Sequence, residues 1–413
     1  MSRENIALLH YSCPPVVGGV EEVVRQQASL FFRNHHLVKI IAGTGGQFDN
    51  RFEIELNPLL GSRYREIMHL HSRLEEKQEQ FFHYVERIHQ YLEQALVDFD
   101  LLIAHNVLTM HYNLPLTYAL HRLADSGKIP VISWNHDSPY FYQNYPKFLD
   151  GEMWQILRRF NPNIHYIAIS ESRKQQFREL YGQHASLQVI PNGIDPIRFF
   201  RLDNTTVRVI QESRLFEAEL LLVQPSRLHP RKNIELSIRV IRALQDRGVA
   251  ARLLLTGAYD PHEAKTVDYY RRLKRLAREL RVEQDILIMA EYYFRSGEKL
   301  SADRIIIRDL YLIADLLFMP SLQEGFGIPL LEAGMIKLPI VCSDIAPFQE
   351  IGDGDVVYFG LSDTPETIAK KIMDFLRNLP PHRMYRNVIR NYVWDNIYLR
   401  ELKPFIDQVA SSR

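Results

Sequence analysis

Two acids, Glu324 and Glu332, stand with seven residues between them, around a turn that reads Gly325-Phe326-Gly327. An apolar run, Ala314–Pro320, precedes them and reads as a buried strand bounded by a proline, and the segment IPLLEAGMI that follows has the apolar spacing of a helix. Strand, glycine-containing turn and helix, in that order, present free backbone N–H groups and the positive end of a helix dipole to an anion. A carboxylate beside a bound phosphate would repel it, so Glu324 and Glu332 are read as acceptors of hydrogen bonds from hydroxyls. An anion cradle flanked by hydroxyl acceptors points to a sugar nucleotide.

The elements that would position such a site alternate along the chain. In the second half, the apolar strand 219–228 is followed at once by Arg227, Arg231 and Lys232, and then by the helix NIELSIRVIRALQDRG. Further strands are read at 251–260, 285–292 and 338–344, the first ending in Gly257-Ala258-Tyr259-Asp260, and a long basic helix carries DYYRRLKRLAREL. Segment 305–314 mixes strand-like and helical features. In the first half, strand 5–12 runs into Gly18 and Gly19 and an amphipathic helix, the order of the first unit of a doubly wound nucleotide-binding sheet. The full Gly-x-Gly-x-x-Gly spacing is missing, and a tight loop needing positive φ is the alternative for these two glycines. Strand 37–43 follows, and residues 62–97 read as a charged helix along one side, its charges forming a solvated face, with a membrane-surface or acceptor-binding role as the alternative. Strands at 100–107, 128–140 and 164–172 end in polar clusters at His105, His136 and Ser170. In open α/β sheets ligands sit where strands end at their carboxyl edge. A lone histidine is by default a structural residue; His136 has the densest polar surroundings, Trp134-Asn135-His136-Asp137. Pro191, Asn192-Gly193 and Pro196 punctuate a crossing, followed by a polar stretch, LDNTTVRVIQES, and the domain boundary is placed there. The reading is therefore α/β: two Rossmann-like domains with parallel sheets and a ligand cleft between them.

Bulk properties narrow the class. At 413 residues two domains are expected. Lys plus Arg and Asp plus Glu are both 50, so no general basic field exists to bind nucleic acid. Cys13 and Cys342 have no metal-type spacing and read as free thiols of a reducing compartment, with a single long-range disulfide as the alternative. The first apolar run is too short and too early for a secretory signal, and no stretch approaches the roughly 20 apolar residues of a membrane span. A cytoplasmic protein with at most peripheral membrane contact is expected.

Six motifs in order give the chain a family resemblance: GGVEE (18–22), WNHD (134–137), ISES (169–172), IPNGID (190–195), SRLHPRKN (226–233) and EGFGIPLLE (324–332). Together they resemble the retaining glycosyltransferases of family 4, whose GT-B fold has two facing Rossmann-like domains and an interdomain cleft. The resemblance implies an acceptor-side domain over 1–192 and a nucleotide-sugar-binding domain over 193–395, with a helix at about 396–413 packing back on the first. It implies transfer of a hexose from a UDP-, GDP- or ADP-sugar to a sugar, polyol or lipid acceptor, with no permanently bound cofactor and no metal. Arg227 and Lys232 would hold the diphosphate, Glu332 the ribose and Glu324 the donor sugar, with Gly325, Phe326 and Gly327 offering backbone amides. His136 would lie near the transferred sugar, and Gly18 and Gly19 would let the first loop approach the diphosphate. Acceptor contacts would come from Glu21, Glu22, His105 or His111. Ser226 stands where the family often has glycine, and Gly257-Ala258-Tyr259-Asp260 replaces a frequent Gly-x-Gly-Pro, which leaves base and sugar preference open. A sugar-nucleotide epimerase on the same fold and a non-catalytic glycan-binding protein are the alternatives.

Overall fold

The computed structural model describes residues 3–257 and 264–411. Ala258, Tyr259 and Asp260 of the expected glycine turn lie outside the described residues. The chain divides into two compact units, Met1–Asp195 with Asn391–Arg413, and Pro196–Arg390. The sequence expectation put these changes at 192/193 and 395/396. Backbone pairing accounts for the shift, because Ile194 N–H donates to the Tyr392 carbonyl at 2.7 Å and Ile194 bridges Val393 in parallel.

In the first unit the described strands are β1 (Asn5–Ser12), β2 (Leu37–Thr44), β3 (Glu53–Leu56), β4 (Leu101–His105), β5 (Val131–Asn135), β6 (Ile164–Ala168) and β7 (Leu187–Val189). They form one parallel sheet in the order β3-β2-β1-β4-β5-β6-β7. The central strands are buried along their length, which is why β4 reads as a nearly continuous apolar run rather than an alternating one; β5, equally buried, carries Ser133 and Asn135 inside. One face of the sheet is closed by the returning C-terminal segment, whose Trp394, Ile397, Leu402, Ile406 and Val409 pack with Ile6, Leu8 and Phe31. Gly193 is required there, since a Cβ would fall 2.7 Å from the Trp394 indole. Residues 62–97 form two helices, Arg65–His71 and Gln78–Ala95, not one. The longer buries Phe81, Tyr84, Val85, Ile88 and Leu92 along one stripe, so only its other faces are solvated.

The second unit repeats the plan with β8 (Leu220–Gln224), β9 (Ala251–Leu255), β10 (Ile286–Ile288), β11 (Leu316–Met319), β12 (Ile340–Ser343) and β13 (Val357–Phe359), all parallel, in the order β10-β9-β8-β11-β12-β13. Both sheets run third-second-first-fourth-fifth-sixth, the doubly wound order, so each has its topological switch point beside its first strand. The polar stretch after the crossing is a helix, Asn204–Ser213; Asp203 Oδ1 accepts from Thr205 N–H at 2.8 Å to start it, and Thr206, Val209 and Ile210 are its buried face. Segment 305–314 resolves as helix Arg304–Ile313, started by Asp303, whose Oδ1 accepts from Ile305 and Ile306 N–H.

Candidate functional site

In the second unit, the loops after β8 and β11 lie at the switch point and are tied to each other. Gln224, fully buried at the end of β8, accepts from Ser237 Oγ at 2.6 Å and donates to the Lys232 carbonyl at 2.9 Å, which fixes the turn Pro230–Lys232. Leu322 N–H donates to the Arg231 carbonyl at 2.8 Å. Across this junction Lys232 Nζ meets Glu324 Oε1 at 2.5 Å, and Ser321 Oγ donates to the same oxygen at 2.7 Å. Ser321 is in turn held by Ser343 Oγ of β12, which donates to the Ser321 carbonyl at 2.6 Å. The Lys232 and Glu324 side chains are 13% and 9% exposed, a pair at the rim of the protein rather than free in solvent. Arg227 is exposed and its guanidinium has no ion-pair partner among the described residues, whereas Arg231 faces solvent.

Gly327 sits at φ 121°, in the left-handed region where glycine is favoured, and opens helix Ile328–Met335. Among the described residues the N–H groups of Gly325, Phe326 and Gly327 donate to no backbone carbonyl, and Phe326 is exposed. Glu332 on that helix is fixed by a residue that sequence reasoning passed over. Tyr311 OH donates to Glu332 Oε2 at 2.8 Å, from a ring that is 4% exposed, and burial with the adjacent carboxylate pushes the phenol pKa up. One cavity of about 910 Å³ holds Arg227, Thr256, Arg304, Tyr311 and Glu332. Its lining joins the guanidinium groups of Arg227, Arg304 and Arg308 to the Glu332 carboxylate and to apolar Ile328, Pro329 and Met335. Gly257 closes against the loop after β8, where a Cβ would fall 2.3 Å from the Ser226 carbonyl oxygen.

In the first unit, the carboxyl ends of β1, β4 and β5 gather histidines. His136 is 9% exposed and its backbone N–H donates to Asn106 Oδ1 at 3.0 Å. Its Nδ1 lies 3.2 Å from Asn192 Nδ2 and its Nε2 3.4 Å from His105 Nδ1. Asn192 Oδ1 accepts from Trp134 Nε1 at 3.1 Å. Burial brings the His136 pKa down to about 3, with the nearby His10 adding to the effect, so the ring is neutral. His105 is wholly buried, so it offers nothing to an acceptor in solution, and its Nε2 has no hydrogen-bond partner among the described residues. Glu21 is engaged by Ser12 Oγ at 2.5 Å and lies 3.9 Å from His10 Nε2, while Glu22 pairs with Arg25. Gly18 is extended, φ −169°, and Gly19 begins helix Gly19–Arg33, so neither glycine is there for positive φ. Gly18 leaves room for a carboxylate instead, since a Cβ would fall 2.1 Å from Glu21 Oε2. Ser170 caps helix Glu171–Tyr181 by accepting from Arg173 N–H at 3.1 Å, a structural role.

The structure thus brings Arg227, Lys232, Glu324, the Gly325-Phe326-Gly327 turn and Glu332 to one edge of one sheet. His136, Gly18 and Gly19 stand at the carboxyl edge of the other. Tyr311 and Asn192 were missed as site residues, the first because its partner is 21 positions away in sequence, the second because Asn-Gly reads as a turn. Among the described residues no group of three or more His, Cys, Asp or Glu side chains is placed to hold a metal ion, and no helix is long and apolar enough to cross a membrane.

Residues 17–198 match the family model described as Glycosyltransferase Family 4, and residues 208–391 the one described as Glycosyl transferases group 1. Among curated proteins, the chain is 26% identical over 379 residues to the mannosylglucosylglycerate synthase of Petrotoga mobilis, covering 83% of this chain and 84% of that one. It is 24% identical over 350 residues to the mannosylglucosylglycerate synthase of Thermotoga maritima, 77% and 75% of the two chains. Among solved structures, sucrose-phosphate synthase from Thermosynechococcus elongatus aligns over 99% of this chain and 100% of that one, at 15% identity and a TM-score of 0.41.

Proposed function

The chain belongs to the glycosyltransferases of group 1, and on that premise we propose that it moves a hexosyl group from a nucleoside diphosphate sugar to an acceptor hydroxyl, with retention at the anomeric carbon and without a metal ion. The observation that carries this reading is the single cavity shared by Arg227 and Glu332, with the Lys232–Glu324 pair on the adjoining loops. Glu332, with one oxygen committed to Tyr311, keeps the other for ribose hydroxyls. Arg227 and Lys232 face the charge that builds on the diphosphate as the bond from C1 to the phosphate oxygen breaks. Fixed cations lower that state more than the ground state, which is how a binding charge becomes a catalytic one. Glu324 positions the donor sugar, and the free amides of Gly325, Phe326 and Gly327 serve the sugar and phosphates. The acceptor oxygen forms its bond to C1 on the face the phosphate leaves, and the acceptor proton passes to the departing phosphate oxygen. From the first unit the reading takes the Gly18-Gly19 turn and the His136 ring, as a neutral hydrogen-bonding group, for substrate contacts. The names of the curated relatives support a mannosyl donor and an acceptor of the glucosylglycerate type.

The test is a panel of UDP-, GDP- and ADP-sugars, read by thermal shift and by release of the nucleoside diphosphate, with glucosylglycerate as acceptor. One nucleotide sugar at about a hundred times its Kd should add about 2.7 kcal/mol of stability. No shift with any of them would sink the donor site, and a product of inverted anomeric configuration would sink retention.

A further inference from the structure

We propose that the first unit holds a saccharide-type acceptor in a groove between the joint of helices Arg65–His71 and Gln78–Ala95 and the segment 147–154 that follows β5; the inference rests on the transferase reading for the word acceptor, not for the binding. The groove encloses about 680 Å³ and carries Arg73, Glu75, Glu76, Lys147, Phe148 and Glu152 on its walls. None of the side chains of Arg73, Glu75, Glu76 and Glu152 has a hydrogen-bond or ion-pair partner among the described residues, and the Lys147 ammonium lies over the Tyr145 ring, 5.7 Å from its centroid. Nearby, Glu86 pairs with Arg122 and Glu93 with Lys128. Around this concavity two cations and three carboxylates stay untethered.

The groove has an aromatic wall as well. Phe148 is 51% exposed, yet its ring is braced from behind by Trp154 at 5.2 Å between centroids and by His111 at 6.0 Å. Trp154 is itself buried and meets His71 edge-on at 5.0 Å, and His71 Nε2 accepts from Leu114 N–H at 3.3 Å. An exposed ring held rigid from below loses little freedom when a flat apolar ligand face covers it. A pyranose has such a face, and its hydroxyls donate to the carboxylates and accept from Arg73 and Lys147. A phosphate-rich polymer would meet three carboxylates, and an acyl chain would meet charges on every side. The near balance of charge suits a neutral or singly acidic saccharide.

Placement supports the same use. The loop 106–113 after β4 joins the groove to the histidine cluster: Asn106 Oδ1 takes the backbone N–H groups of His136 and Asp137, Thr109 Oγ1 donates to the Asp137 carbonyl at 2.7 Å, and His111 rests on Phe148. The groove therefore lies off the carboxyl edge of this sheet, where ligands of doubly wound folds are bound.

Saturation-transfer NMR of the full chain with methyl α-D-glucopyranoside and with glucosylglycerate tests this directly. Both probes should receive saturation, and Phe148→Ala and Lys147→Ala should each weaken binding by about tenfold, the scale of one charge-assisted hydrogen bond or one aromatic contact. Lys147 is exposed, so that variant guards against a folding failure of the other. Absence of saturation on both probes with the wild-type chain would overturn the saccharide assignment, and undiminished binding in both variants would overturn the location. Nucleoside diphosphate binding is measured in parallel; its loss in the wild-type chain would count against the transferase reading and leave the groove standing.

Discussion

The Lys232–Glu324 pair gives a test that separates chemistry from scaffolding. Lys232→Ala removes a cation that meets Glu324 Oε1 at 2.5 Å and leaves that carboxylate, 9% exposed, with Ser321 Oγ as its remaining side-chain partner. Breaking a fully buried pair costs 3–5 kcal/mol; at this rim position the loss is expected to be about 2 kcal/mol. For a unit of this size that is a fall of about 4–8 °C in melting temperature. Turnover should fall about a hundredfold, the cost of removing one electrostatic stabiliser of a transition state. The double variant Lys232→Ala/Glu324→Gln distinguishes the two effects. A neutral amide needs no cation, so stability should recover by 0.5 kcal/mol or more, roughly the coupling of residues in contact, while turnover stays low because the diphosphate still lacks its lysine. The assay is calorimetry beside nucleoside diphosphate release at saturating donor. Wild-type turnover in Lys232→Ala, or its return in the double variant, would show that Lys232 serves only to neutralise Glu324, and the assigned role would be wrong.

Three further outcomes are expected. Tyr311→Phe removes the hydroxyl that donates to Glu332 at 2.8 Å, so the KM for donor should rise roughly three- to tenfold, about 1 kcal/mol, with kcat nearly unchanged; steady-state kinetics with an unmoved KM would refute the positioning role. Gly257→Ala forces a Cβ to within 2.3 Å of the Ser226 carbonyl oxygen and 2.7 Å of the Arg227 Cα, so about 1–3 kcal/mol of stability and most nucleotide affinity should go, and a wild-type melting curve would contradict the close approach. Burial lowers the pKa of His136 to about 3 and of His71 and His121 to about 4; between pH 6.5 and 4 the unfolded chain binds protons that the folded chain refuses, so stability must fall as pH falls, by about 1.4 kcal/mol per pH unit for each such histidine. Melting temperatures flat across that window would deny the burial.

Much of the fold was legible because its strands are buried on both faces. Runs such as LLIAH and LLLVQ have no polar alternation to confuse, and the residues that end them mark the sheet edges. Edge and surface elements were harder. Strand Glu53–Leu56 alternates charge with apolar residues in four positions and pairs only with β2, so nothing local separates it from a loop. Helix Asn204–Ser213 hides a narrow buried face, Thr206, Val209 and Ile210, inside a polar composition. The motif residues of the proposed nucleotide site stand out by their spacing, since each loop supplies its own. What spacing does not carry is the contact between loops: Tyr311 to Glu332, Leu322 to Arg231, Gly257 to Ser226. Those are set by strand order, which the sequence expresses only through the whole sheet.

The histidine cluster shows how much chemistry such contacts decide. An indole nitrogen only donates, so Trp134 fixes Asn192 Oδ1 toward itself and turns Asn192 Nδ2 to His136. His136 Nδ1 must then accept, which puts the proton of the neutral ring on Nε2, facing His105 Nδ1 at 3.4 Å. A base needs an open lone pair, and the one lone pair of this ring is already spent on Asn192. Its pKa of about 3 would in any case make it a poor proton acceptor near neutrality. His136 can donate to a substrate oxygen through Nε2 only by giving up its contact with His105 Nδ1, and it cannot take the acceptor proton without breaking a chain anchored on a buried tryptophan. In the proposed transfer that proton is left to the departing phosphate, whose own charge Arg227 and Lys232 are placed to hold.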